Sequence, residues 1–125
     1  MGGLIFNYKH VSFELVVGNH DILKAEDYVE NNIRLHPEHL VLGPFLLTHE
    51  PLEEADGRGY NLAGHIHPGV LLRGKGRQAM RLPCFYFGQH GGILPAFGKF
   101  TGFMRLRPSK KDQVFVVVEE RVLAV

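Results

Sequence analysis

The sequence predicts one domain, mostly β, spanning residues 1–125, and three observations carry that prediction. Its 125 residues are the size of a single domain that can bury a core of its own. Short apolar runs recur along the chain and are punctuated by turn residues; glycine supplies 15 of the 125 positions, against a usual share of about 7%. Only one segment, "ILKAEDYVENN", has helical composition. No internal repeat and no linker divides the chain.

Taken in order, "VSFELVVG" (Val11 to Gly18) is hydrophobic on both faces and predicts a mostly buried strand. The helix follows, with Ala25, Tyr28 and Val29 at helical spacing and Asn31–Asn32 as its stop. "IRLH" is a brief strand, and "LVLGPFLLTHEP" gives two strands broken at Gly43–Pro44, the second ending at Thr48 and His49. "LEEADGRGY" is a polar surface loop, and "YNLAGHIHPGV" a short strand entering a loop at Gly64. The remainder reads as antiparallel β. "VLLRGKGRQAMRL" predicts a hairpin turning at Gly74-Lys75-Gly76, "PCFYFG" a buried strand, "GGILPAFGKFTGFMRLRP" a glycine-punctuated strand pair, and "SKKDQVFVVVEERVLAV" a turn with one or two strands.

Composition excludes several classes. Apolar residues make up 45% and charged residues 22%, as in a soluble globular protein. The net charge of +1 does not by itself argue for nucleic acid or a membrane surface. No apolar run approaches the roughly 18 residues of a membrane span. The opening "MGGLIFNYKH" is too short in apolar residues for a signal peptide, and Phe6 stands where myristoylation needs Ser or Thr. Cys84 is the single cysteine, so no intrachain disulfide can form, and its "PCFYF" setting is that of core. The cytoplasm is the expected compartment.

The chemistry lies in the histidines, 8 in a chain with no His-rich tract. "VVGNHD", "FLLTHE" and "NLAGHIH" share one grammar: an apolar strand, a small residue or Thr, then His. They supply Asn19, His20, Asp21, His49, His65 and His67. Imidazole and amide donors suit divalent transition metals, and strand-end loops can bring them to one point. His65 and His67 would share a face on a regular strand, whereas a turn would direct them apart. Each piece alone has a plainer reading. "NHD" is more often a turn or cap, "THE" a surface strand end, and "GHIH" is balanced between turn and ligand pair. Their conjunction in one short chain is what points to a site.

That conjunction resembles the last three motifs of the calcineurin-like metallophosphoesterases. "GNHDIL", "THEPLEE", "AGHIHPGV", "GKGRQAMRLPCFYFG" and "GILPAFGKFTG" resemble its branch of ligase-associated DNA damage response endonucleases, from about Val11 to the C-terminus. The resemblance implies the α/β class, as the C-terminal part of a four-layer α-β-β-α sandwich that is β-rich in this chain. It implies Asn19, His49 and His65 as ligands of one metal and His67 as a ligand of a second. His20 would protonate the leaving oxygen or stabilise phosphate, and Asp21 would orient it. The implied cofactors are two divalent ions, Mn²⁺ first and Zn²⁺ or Fe as substitutes, sharing a hydroxide for in-line attack. The implied substrate is a phosphoester, plausibly in DNA, and the implied partners are a DNA ligase, a helicase and a nuclease.

The family's two earlier motifs, D-x-H and G-D-x-x-D, have no counterpart: the aspartates are Asp21, Asp27, Asp56 and Asp112, none followed two residues on by His and none preceded by Gly. The chain is therefore expected to be a truncated form with an incomplete two-metal site and impaired activity. Exposed sheet edges would favour a homo-oligomer. Two further readings stand beside it: a non-catalytic β-rich module left by truncation, and a mononuclear zinc hydrolase using the remaining histidines. Arg73, Lys75, Arg77 and Arg81 read first as a solvated hairpin tip and otherwise as a phosphate contact. "RLRPSKK" reads as a turn, His36 and His39 as a surface loop, and "GGILPAFGKFTG" as structural; His10 and His90 receive no role.

Overall fold

The computed structural model describes residues 10–19, 23–76, 78–97 and 102–125, which form two sheets and one short helix. The first unit is a β-α-β turn of chain. Strand β1 (Phe13–Val16) pairs in parallel with β2 (Ile33–His36), and helix α1 (Ala25–Glu30) crosses between them. Parallel neighbours require such a crossover. The helix begins where the Asp27 carboxylate accepts the Lys24 backbone N–H at 3.2 Å. It stops as expected at Asn31 and Asn32: the Asn31 side chain donates to the Asp27 carbonyl at 2.7 Å, and Asn32 turns left-handed at φ 59°.

The second unit is a nine-stranded mixed sheet. Its strands are β3 (His39–Leu42), β4 (Phe45–Thr48), β5 (Tyr60–Ala63), β6 (Pro68–Arg73), β7 (Ala79–Phe87), β8 (Gly91–Ile93), β9 (Met104–Arg105), β10 (Gln113–Val118) and β11 (Arg121–Ala124). The main order is β11-β10-β7-β8-β5-β4-β3; β6 branches from β7 and carries β9. The core gathers Val70, Cys84, Val114 and Val116, while Leu46 in β4 and Ala63 in β5 are buried separately from that cluster. No helix among the described residues is long and apolar enough to cross a membrane.

Most strands stand where the sequence places them, but four readings need correction. The stretch from Val70 onward is not all antiparallel, because β8 runs parallel to β5 and β9 runs parallel to β6. The glycine-punctuated stretch does not form a strand pair. β8 instead lies between β5 and β7, where a side chain at Gly92 would sit 2.5 Å from the Phe87 ring and one at Gly91 would sit 3.1 Å from the Asn61 carbonyl. Glycine serves close packing there, which alternation of apolar residues cannot reveal. His36 and His39 are not loop residues: His36 ends β2, beside the Glu14 carboxylate at 3.2 Å, and His39 opens β3. β1 is also less buried than its composition suggests, since Glu14 is exposed and its neighbours are only half-buried.

Candidate metal centre at the strand ends

β4 and β5 are parallel neighbours, so their C-terminal ends lie side by side, and the chain leaving each carries a histidine. The ladder extends one step past the strands, with Gly64 N–H donating to the His49 carbonyl at 3.0 Å. In open sheets, ligand sites form beyond the carboxyl ends of parallel strands. Asn19 arrives in the same manner, three residues beyond the end of β1.

The three side chains meet at one atom. His49 Nε2 lies 2.8 Å from Asn19 Oδ1 and 3.0 Å from His65 Nδ1, and the two imidazoles sit edge to face with centroids 4.8 Å apart. A single proton on His49 Nε2 can be shared between two acceptors but fully satisfies neither. A cation placed among the three would use the lone pair of each. Neighbouring donors around a divalent ion at about 2.1 Å stand about 3.0–3.4 Å apart, close to the spacings here. The donor set of two neutral imidazoles and an amide oxygen therefore fits a divalent transition metal. Among the described residues no three His, Cys, Asp or Glu side chains gather; the third member of this group is an amide.

Local backbone explains how a sequence only two residues apart separates its histidines. His65 occupies the centre of a left-handed turn at φ 67°, closed by Ile66 N–H to the Gly64 carbonyl at 2.7 Å. His67 is also left-handed, at φ 54°. Such conformations in β-unbranched but non-glycine residues are held by their surroundings and concentrate at functional sites. Of the two arrangements open at the sequence level, the turn is the one adopted. His67 is half-buried and, unlike His65, makes no side-chain hydrogen bond among the described residues. Its carbonyl accepts from Met104 N–H at 3.0 Å, tying β9 to the turn. His20 and Asp21 lie outside the described residues.

Three contributors were not recognised in the sequence. Gly18 is the first. A Cβ there would lie 2.6 Å from both Cε1 and Nδ1 of His49, so only glycine lets the β1 end lie flat on that ring. The second is Glu50, whose Oε1 is 3.6 Å from His65 Nε2. A carboxylate on that side favours the tautomer with hydrogen on Nε2, leaving the Nδ1 lone pair toward His49. The third is Asn61, the buried polar residue of β5. Its amide donates to the Leu46 carbonyl at 3.0 Å and to Thr48 Oγ1 at 2.9 Å, and its oxygen accepts from Leu52 N–H at 3.0 Å. Thr48 in turn donates to the Glu50 carbonyl at 2.7 Å. The turn carrying His49 is thus held by one fully used amide. A lone polar residue inside the apolar "YNLA" run was its signal.

No family model matches the chain, and no curated protein sequence matches it. Among solved structures it is similar to the Pseudomonas putida nuclease MPE, with 34% sequence identity and a TM-score of 0.81. The likeness covers 99% of this chain and 59% of that one, so the chain spans less than two thirds of the nuclease's length.

Proposed function

We propose that the chain carries the strand-end half of a divalent-metal phosphodiesterase site, of the calcineurin-like kind and acting on nucleic-acid phosphodiesters. The observation that carries this reading is the convergence of Asn19, His49 and His65 on one point beyond the ends of three strands. The likeness to a nuclease supports the substrate class. A bound cation would polarise a phosphoryl oxygen and lower the pKa of its water. The chain's own residues hold and orient: Asn19, His49 and His65 are the ligands, Glu50 sets the His65 tautomer, and Asn61 fixes the turn that presents His49. His67 is assigned to a second ion, His20 to leaving-group protonation and Asp21 to its orientation. The DNA-repair setting and its ligase, helicase and nuclease partners belong to the same proposal. Since the gathered donors serve one cation, a mononuclear zinc hydrolase is the second reading this geometry favours.

The test is hydrolysis of a chromogenic phosphodiester by metal-stripped protein with Mn²⁺ or Zn²⁺ restored. Metal-dependent turnover that disappears in His49→Ala and in His20→Ala is expected. Binding of neither ion, with no turnover, would refute the reading and leave a non-catalytic β-rich module. Turnover with Zn²⁺ alone at one ion per chain would select the mononuclear form.

A further inference from the structure

The near-neutral net charge conceals a strong segregation. Between Gly57 and Lys111 the sequence has ten of its fourteen Lys and Arg residues and none of its thirteen Asp and Glu residues. A sign asymmetry of this kind marks a surface for a polyanion. The fold then sorts those cations. β6 pairs with β7 and β9 so that Gly69, Leu71 and Arg73 share a face, with Arg81 across from Leu71 and Arg105 across from Gly69. The opposite face, through Val70, Leu72, Leu82 and Cys84, is packed into the core. Three guanidiniums therefore stand on the outer face, and among the described residues none of the three has a carboxylate partner, whereas Arg34 and Arg58 each do.

An aromatic ring completes the surface. Phe103 lies over Gly69, where a Cβ would meet it at 2.8 Å, and it keeps 42% of its surface exposed. Arg81, Arg105 and Phe103 line one cleft of about 90 Å³, and Arg105 also borders a larger cleft of about 430 Å³ with Arg107 and Lys110. Asp112 on that second cleft is engaged by Tyr86 and Ser109. The surface adjoins the turn that carries His65 and His67 through Met104, which sits between Phe103 and Arg105 and donates to the His67 carbonyl.

We propose that the outer face of β6, β7 and β9 is the track for a nucleic-acid strand leading to the metal centre. Its phosphates lie over Arg81 and Arg105, and an unpaired base lies against Phe103. This rests on the phosphodiester reading above. Guanidiniums match phosphate oxygens in a planar fork, and cations alternating with aromatic platforms hold single strands.

Binding is measured by fluorescence anisotropy with a labelled single-stranded oligonucleotide in EDTA, so that ion binding and turnover play no part. The Arg81→Ala/Arg105→Ala pair should weaken binding tenfold or more and flatten the log–log salt dependence by about 0.7 per lost phosphate contact. Phe103→Ala should cost about fivefold or more on the single strand and less on duplex. Arg121→Ala and Lys24→Ala, outside the face, should leave binding unchanged. Arg81→Gln/Arg105→Gln repeats the measurement should the alanine pair unfold. An unchanged salt slope in the arginine pair, equal losses in the outlying variants, or equal competition by polyglutamate would overturn the proposal. Failure of the wild type to hydrolyse a small diester would count against the catalytic reading alone, because this binding needs no metal.

Discussion

Gly18→Ala isolates the packing that sets the candidate metal centre. The added methyl carbon would lie 2.6 Å from Cε1 and Nδ1 of His49, where unstrained contact needs about 3.5 Å, so the ring must withdraw by about 1 Å. Gly18 lies outside the strands, and its backbone is not in the left-handed region, so the fold itself can accept alanine. The displacement instead falls on His49 Nε2, whose neighbours stand at 2.8 and 3.0 Å and pass beyond hydrogen-bond range after a shift of that size. Loss of these exposed contacts should cost about 1 kcal/mol of stability. Divalent-ion affinity should fall on the order of 10–100-fold, the scale for disturbed ligand orientation. Isothermal titration with Mn²⁺ or Zn²⁺ reads the affinity, and urea denaturation reads the stability. The decisive arm is a double-mutant cycle: in a His49→Ala background there is no ring to displace, and Gly18→Ala should have no further effect on affinity. Unchanged affinity in the single variant, or additive losses in the cycle, would refute the reasoning.

Three further outcomes follow from the same structure. Asn61→Leu leaves the Leu52 N–H and the Leu46 carbonyl without their buried partner, and should lower stability by about 2–4 kcal/mol in denaturant titration while weakening ion binding. The Tyr86–Asp112 hydrogen bond pushes the phenol up to about 12 from 10.0 and holds the carboxyl below its usual range. Its stabilisation is therefore complete between the two ordinary values; it is lost on the alkaline side as pH rises from about 10 to about 12 and on the acid side as pH falls through the lowered carboxylate value. Tyr86→Phe should shrink both the alkaline and the acid loss in melting temperature against pH, the alkaline remainder belonging to Tyr60 and Cys84, which burial also pushes up. The expected self-association has an edge to act through. β11 closes one end of the sheet order with all four residues exposed, Val122 and Leu123 among them, and Leu123→Lys should shift the chain toward monomer in light scattering.

By itself the sequence placed most of the strands and picked out Asn19 and the histidines as candidate ligands. Gly43–Pro44, Gly74–Gly76 and Asn31–Asn32 act over a few residues, and such signals depend on local backbone preference alone. Asn19, His49 and His65 were among six candidates legible for a similar reason, since each follows an apolar strand and strand ends are where side chains can converge; the resemblance is what grouped these three. Tertiary structure alone decided which strands are parallel, since β5 lies between β4 and β8, and its closeness to β8 depends on Gly91 and Gly92 rather than on its own pattern. It also decided that His65 and His67 part company, because two left-handed residues need surroundings to hold them there. Gly18, Glu50 and Asn61 gained their roles only once distant segments touched: a glycine is a seat for a ring only when the ring is there. The arginine face was written in the sequence as charge segregation, but only the register of β6, β7 and β9 put those cations on one side, because alternation sends every second residue outward and pairing aligns the rows.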